Sequence, residues 1–371
     1  MPHIAGFRGF VGDPSTKERY ATRAVYRYHQ LFNGGGRTFT RKSFACAVRL
    51  ADWSEGIIRG HEDVTDAGRD AYLAKIRATK TQTDAFVAGV RDTPGEVERL
   101  FRGVEMGRPT VEKTTPDGTV HKLWRAASAE LIGKLRTYFT PKKLHILEGH
   151  DLYAAMLAYR DEQTKLGDLS MYSSANYGLA YIVTMDDPGL VPAPLHHVLR
   201  GLEVKPDAVL AAAKQHFIVE KLPGAAAKLD DIFKSLGATV AHQPAFVAVF
   251  GGEPDAWKLT LSPEVSPYNE GVKTDRALQK YDPIVLEHMF IAKHLAGGTR
   301  TTERDAKAAL AAASGEGAKG TVALFTRPLS LEQVVHVDEL GHQLPPHSSA
   351  LFPQVAQGLV TFTIDRDEDV Q

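Results

Sequence analysis

The segment KLHILEGHDLYAAMLAYRDEQTK, residues 143–165, decides the fold class of this 371-residue chain. Residues 143–147 form a largely apolar run of strand length, and the glycine-containing turn Glu148-Gly149-His150 follows it directly. Residues 152–165 are rich in alanine, leucine and other good helix formers, and they predict a helix. A strand, a glycine turn and a helix in this order form one unit of an α/β sheet.

The same alternation continues along the chain and sets the expected architecture. Residues 25–32 and 37–50 are strand-like, and glycines 34–36 between them predict a hairpin rather than a phosphate-cradling loop, because strand and not helix follows. We expect an α/β (mixed α+β) fold of mixed sheets with flanking helices, in two subdomains that share a cleft. The expected organisation is an N-terminal extension (1–24), an N-terminal subdomain with the hairpin and glycine turn (25–200) and a C-terminal subdomain (201–371).

Composition and charge restrict the partners. The 44 basic and 45 acidic side chains give a net charge of -1, so we expect no membrane association and no general nucleic-acid binding. A small anionic molecule stays open as a partner, and the oligomeric state cannot be read. The start of the sequence has no signal-peptide pattern, which predicts a cytoplasmic protein. Cys46 alternates with Phe44 and Val48 on one face of a strand, which predicts a buried, unreactive thiol.

Short motifs spread over residues 25–364 match a pattern seen together in one protein family. They are EGHDLY (148–153), YRDE (159–162), DDPGL (186–190), PLHH (194–197), LPPHSSALFPQ (344–354), HE (61–62) and RAT (77–79). Together they resemble the family known as domain of unknown function 1015. The Pro-Pro-Tyr-Asp segment that family members carry near the N-terminus is missing from this chain.

The resemblance implies a chemistry. The family's Gly-His-His-Arg turn is similar to the phosphate-binding turns of ParB-like nucleotide-binding proteins and of free-serine kinases. It therefore implies a phosphate or nucleotide site, and phosphoryl transfer to a small hydroxyl compound in a serine-kinase-like enzyme. Nucleotide, pyrophosphate and Mg²⁺ stay open as ligands. Glu62 and Glu148 are the candidate catalytic bases, and the candidate ligand-binding residues are His61, Gly149, His150, Asp187, His196, His197, His347 and Ser348.

Departures from the family pattern leave two interpretations of the site open, a changed ligand and a lost activity. At positions where the family has arginine or lysine, this chain has Asp63, Tyr72, Leu152, His197, His347 and Gln354. Each lost charged hydrogen bond to an anion is worth about 1.5–3 kcal/mol. Either the ligand is smaller and less charged, or catalysis has lapsed and the chain is a ligand-binding, regulatory or protein-interaction scaffold. Restoring charge with Leu152→Arg and His347→Lys is then predicted to raise affinity for phosphate-bearing ligands.

No metal site is expected from the histidines. His196 and His197 are adjacent and project differently, and His61-Glu62 has no second histidine at the spacing of a zinc-binding helix. Asp187, before Pro188-Gly189, has a structural alternative, in which its carboxylate fixes a turn. We nevertheless expect Gly149, Asp187 and residues 345–349 to converge on one cleft, because all three lie on turns beside strands.

Overall fold

The computed structural model describes residues 1–12, 18–240, 242–314 and 316–370. Contacts between Cα atoms divide the chain into two compact units. Unit 1 comprises Met1–Val191 and Leu351–Gln371, and unit 2 comprises Pro192–Ala350. Helices and sheets occur in both units, and the main sheet of unit 1 is mixed, which confirms the predicted mixed α/β class.

The elements are numbered in chain order. The helices are α1 (Asp66–Thr79), α2 (Glu96–Glu105), α3 (Ala129–Phe139), α4 (His150–Lys165), α5 (Pro206–Ala213), α6 (Leu229–Gly237), α7 (Asp282–Val285), α8 (Ala292–His294), α9 (Ala306–Ala312) and α10 (Leu331–Glu339). The π-helical turn Leu286–Ile291 joins α7 to α8. The strands are β1 (Ile4–Ala5), β2 (Gly9–Val11), β3 (Val25–Gly34), β4 (Arg37–Arg49), β5 (Ile58–Gly60), β6 (Thr81–Gln82), β7 (Phe86–Val90), β8 (Val111–Thr114), β9 (Val120–Ala126), β10 (Leu144–Glu148), β11 (Tyr177–Thr184), β12 (Val191–Ala193), β13 (His196–Arg200), β14 (Phe217–Leu222), β15 (Ala245–Phe250), β16 (Ala256–Leu261), β17 (Thr299–Glu303), β18 (Val322–Phe325), β19 (Ala350–Phe352) and β20 (Val360–Thr363).

Strand direction in unit 1 determines where its turns lie. The main sheet has the order β5-β10-β7-β11-β4-β3-β9-β8, with β1 paired to β4. β5 and β10 are parallel neighbours, whereas β7 is antiparallel to β10 and parallel to β11. The carboxyl ends of β5 and β10 therefore meet at one edge of the sheet, and those of β7 and β11 meet at the opposite edge. β20 also belongs to unit 1, between β2 and β6 in a small antiparallel sheet.

Helices α1 to α4 contribute to one hydrophobic core with the main sheet. Phe44, Cys46 and Val48 of β4 enter this core together with Phe101 of α2 and Leu135 of α3. Each buried side chain of this size contributes about 1.5–3 kcal/mol relative to exposure. Complete burial raises the pKa of the Cys46 thiol far above its ordinary range. The predicted face of β4 and the burial of the thiol are confirmed.

The glycine run forms the predicted hairpin. Gly34 of β3 lies opposite Arg37 of β4, so Gly35 and Gly36 form a two-residue turn. Their φ angles are 54° and 75°, which glycine adopts without steric cost. Because both strands continue directly from this turn, it does not open a helix and cannot present helical N–H groups to a phosphate.

Unit 2 is built on an antiparallel sheet of order β14-β16-β15-β18-β13-β17. Ile232 of α6 and Leu310 of α9 pack with Val247 and Phe325 in its core. β13 pairs with strands on both sides and carries two of the candidate histidines. Over the described ranges, no helix combines the length and apolarity needed to cross a bilayer.

Candidate functional site

The glycine turn joins β10 directly to α4. Gly149 has φ 93° and is the N-cap of α4, which begins at His150. A Cβ atom on Gly149 would lie 3.1 Å from the Cα of Phe86. Both the backbone angle and the close approach of β7 therefore require glycine. The first N–H groups of α4 and the positive end of its dipole lie at this turn, as an anion-binding turn requires.

His61, Glu62 and His150 form a buried cluster beside the turn. Because β5 is parallel to β10, the residues that follow each strand lie at the same edge. His61 Nε2 lies 3.4 Å from Glu62 Oε1, and His150 Nδ1 lies 3.8 Å from Glu62 Oε2. The two imidazole rings meet edge to face with centroids 4.6 Å apart. All three side chains are buried, so one carboxylate faces two imidazoles where water has little access.

Backbone contacts hold the imidazoles in place. His61 Nδ1 lies 3.0 Å from the carbonyl oxygen of Ile146. Because a carbonyl oxygen only accepts, Nδ1 carries the proton and Nε2 faces the carboxylate. A Cβ on Gly60 would lie 2.9 Å from Cδ2 of His150, so this imidazole packs directly over a glycine backbone.

Asp151 is a residue of this site that the sequence reasoning missed. Its carboxylate accepts hydrogen bonds from the backbone N–H of Thr65 at 2.7 Å and from the Thr65 hydroxyl at 2.8 Å. That hydroxyl in turn accepts from the N–H of Gly68 and caps α1. Asp151 thus links the start of α4 to the start of α1. The available signals were a threonine at the N-cap position of α1 and an acidic residue in the first turn of α4.

Glu148 has a structural contact. Its Oε1 accepts a hydrogen bond from the backbone N–H of Leu351 at 2.7 Å. The carboxylate thereby holds the segment with which the chain re-enters unit 1. Of the two candidate bases, Glu62 is therefore the one that lies between imidazoles, and Glu148 supports the backbone.

Leu152 occupies the position at which the family has an arginine in this turn. It is only 4% exposed and packs in the hydrophobic core of unit 1. The side chain points into the apolar interior, where a guanidinium would lose its hydration without hydrogen-bond acceptors to replace it. Because Leu152 is buried, Leu152→Arg is not expected to restore a phosphate contact. The prediction that this substitution raises affinity for phosphate-bearing ligands is revised accordingly.

Asp187 does not lie near the turn at Gly149. Gly149 lies beside Phe86, at the start of β7, whereas the end of β11 lies opposite Val90, at the end of β7. Phe86 and Val90 are four residues apart along this strand, which corresponds to roughly 13 Å. Gly149 and Asp187 therefore lie at opposite edges of the sheet, and their predicted convergence is not found. The physical reason is strand direction, since β10 and β11 run oppositely on either side of β7.

The Asp187 carboxylate fixes its own turn, as the structural alternative predicted. It accepts from the N–H of Gly189 at 2.8 Å and from the N–H of Lys42 at 3.2 Å. Burial is the main cause that raises the pKa of Asp187 to about 6. The carboxyl group is thus largely committed to joining this turn to β4.

The remaining four candidates lie in unit 2. His196 is buried against Phe233 and Phe325, and burial lowers its pKa to about 4. His197 accepts from Arg300 at 2.8 Å through Nδ1. Adjacent strand positions place the two rings on opposite faces, as expected.

His347 and Ser348 lie in a turn of unit 2. His347 is exposed with φ 60°, and the hydroxyl of Ser348 donates to the carbonyl of Pro345 at 2.5 Å. The ligand-binding roles of all four unit 2 residues, and the convergence of residues 345–349 with the turn, stay predictions. Within the described residues, no three His, Cys, Asp or Glu side chains are grouped as a metal ion requires.

The fold and the glycine turn define a mixed α/β protein with a helix N-terminus beside a His-Glu-His cluster. The chain belongs to the family described as protein of unknown function DUF1015, whose family model matches residues 18–282. The family resemblance drawn from the motifs is confirmed. No curated protein sequence matches the chain significantly.

Solved structures with related folds are distant. A conserved hypothetical protein from Pyrococcus furiosus is 12% identical with a TM-score of 0.43, covering 84% of this chain and 93% of its own. A free serine kinase in complex with AMP is 11% identical with a TM-score of 0.40, at 84% and 89% coverage. SbnI with a C-terminal truncation from Staphylococcus aureus is 9% identical with a TM-score of 0.39, at 84% and 85% coverage. Similarity at this level does not establish a shared activity.

Proposed function

We propose that this protein binds a small phosphate-bearing molecule at the N-terminus of α4. The observation that carries the proposal is the combination of Gly149, in a left-handed conformation at the start of a 16-residue helix, with the buried His61-Glu62-His150 cluster beside it. Helical N–H groups and the dipole favour an anion. The family resemblance supports phosphate as that anion.

The side chains favour a ligand of low charge. The family turn has an arginine in addition to its histidines, whereas that position here is the buried Leu152 and imidazoles remain, which carry positive charge only when protonated. Glu62 can balance one imidazolium, so the cluster supplies less positive charge than an arginine fork. A comparison of inorganic phosphate with the more highly charged pyrophosphate and ADP tests this preference. A Mg²⁺ ion held mainly by ligand phosphates requires one or two carboxylates, and Glu62 is the one placed for it.

His150→Gln is expected to weaken pyrophosphate binding at least tenfold, because it removes a group that can be charged beside the helix N-terminus. Isothermal titration calorimetry at fixed pH and ionic strength measures the affinity. His288→Gln, at an exposed histidine of unit 2, is the matched control. Equal affinity of the wild type and both variants would contradict the proposal.

Phosphoryl transfer is the catalytic form of this proposal. Glu62 would accept the proton of a small hydroxyl compound as its oxygen attacks phosphorus, and the bond to the leaving phosphate or nucleotide would break. Two observations favour the alternative of a non-catalytic binding or regulatory protein. Leu152 is packed in the core instead of offering a cation, and Glu148 is bonded to the backbone of Leu351.

A coupled phosphotransfer assay separates the two candidates. ATP, ADP and pyrophosphate are tested as donors with serine and similar hydroxyl acceptors. The non-catalytic candidate predicts no turnover above the protein-free rate. Turnover that Glu62→Gln reduces by about 100-fold or more, while Glu148→Gln retains it, would reject that candidate and identify Glu62 as the base.

A further inference from the structure

A second group of cations, outside the family motifs, lines a pocket in unit 1. The pocket has a volume of about 600 Å³, which is sufficient for a small molecule. Arg8, Arg23 and Arg136 contribute its charged lining, and Gly6 and Gly133 are among its small residues. We call it the arginine pocket.

One carboxylate pairs with this pocket's cations among the described residues. Glu368 Oε1 lies 3.0 Å from Nε of Arg8. Glu368 is shared, because its Oε2 also lies 2.6 Å from Arg19. Among the described residues, a single carboxylate thus pairs with both Arg8 and Arg19, and the pocket lining contains no acidic side chain.

The other two arginines bond to neutral groups. Arg23 donates through Nη2 to the carbonyl of Asp369 at 2.7 Å, and Arg136 donates through Nε to the carbonyl of Ile4 at 3.4 Å. Neither arginine forms an ion pair among the described residues, so both charges beside the pocket lack a neutralising carboxylate there.

The start of α3 adds to the same potential. Ala127 and Ala129, which flank the N-cap Ser128, line the pocket, so the positive end of the helix dipole lies beside it. A Cβ on Gly133, one turn further along, would meet no atom within 4 Å. The pocket is therefore open at the face of α3.

We propose that the arginine pocket binds a small molecule through its phosphate group, as a second anion site independent of the turn at α4. Guanidinium groups form paired, planar hydrogen bonds to phosphate oxygens, and Arg23 and Arg136 both line the pocket without an ion-pair partner among the described residues. The inference does not rest on the function proposed above.

The test removes the cations in full-length protein that already carries His150→Gln, so that binding at the α4 site is weakened at least tenfold. Pyrophosphate and inorganic phosphate are the probes in calorimetric titrations. The double substitution Arg23→Gln, Arg136→Gln is expected to lower pyrophosphate affinity about 30-fold or more. Arg102→Gln with Arg108→Gln removes the same charge at exposed positions outside the pocket and should change affinity less than about threefold.

A second variant keeps the arginines and covers the case in which the double variant does not fold. Gly133→Glu places a carboxylate at the open face and is expected to abolish binding, whereas Gly133→Ala should retain it. Failure of the His150→Gln protein to bind either probe at millimolar concentration would overturn the proposal. Equal loss in the Arg102, Arg108 control, or tighter binding of citrate than of pyrophosphate, would overturn it as well.

Discussion

Leu152→Arg is expected to lower the free energy of unfolding by about 3–5 kcal/mol, although it restores the residue that the family has in this turn. Leu152 is 4% exposed and packs in the core of unit 1. The substitution removes apolar packing and buries a guanidinium without a carboxylate placed to receive it. Urea denaturation followed by circular dichroism measures the loss.

Tyr72→Arg is the matched control. It restores a family arginine on α1, where Tyr72 is 37% exposed. An exposed substitution of this kind is expected to change stability by no more than about 0.5 kcal/mol. If Leu152→Arg were as stable as Tyr72→Arg, the new guanidinium would reach a polar environment. An arginine at position 152 would then be compatible with this fold.

Gly149→Ala is expected to cost about 2–4 kcal/mol of stability and to weaken phosphate binding. A non-glycine residue at φ 93° is strained, and the added Cβ would lie 3.1 Å from the Cα of Phe86. The turn would have to move away from β7, which would shift the first N–H groups of α4.

Gly95→Ala isolates the contribution of that contact. Gly95 is also a left-handed N-cap, at α2, with φ 67°, and a Cβ there meets no atom within 4 Å. It should therefore cost only about 1–2 kcal/mol. Equal losses for the two variants would show that the approach of β7 does not constrain the turn.

Local pattern predicted local structure well. The turn at Gly149 was predicted because an apolar run, a glycine and a helix-forming run follow each other, and each of these signals acts over a few residues. The hairpin at Gly35 and Gly36 was predicted for the same reason. The neighbouring positions of His61 and His150 follow from two parallel strands whose carboxyl ends share an edge.

Pairing direction was not predictable from those patterns. Asp187 follows a strand, as Gly149 does, but the sequence does not state that β7, between their strands, runs against β10 and with β11. The hydrophobic alternation of a strand is the same in either direction. For this reason two turns that were expected together lie at opposite edges.

Other features escaped because their partners are distant in the chain. Helix α2 and the β8–β9 hairpin were not predicted, and the tie between Asp151 and Thr65 joins residues 86 positions apart. The arginine pocket gathers Arg8, Arg23 and Arg136 from separate segments. The overall charge of the chain is balanced, so its composition does not indicate a local cluster of arginines.

Histidine-selective ¹⁵N NMR shows whether pyrophosphate binds at the N-terminus of α4, because the backbone amide and the ring of His150 are both labelled. His150→Gln assigns the resonances, and the exposed His288 of unit 2 is an internal control. Binding at this helix N-terminus predicts saturable shifts of the amide and ring resonances of His150, with those of His288 unchanged. Saturation of binding by calorimetry with no shift at His150 would contradict it and would place the phosphate away from the N-terminus of α4.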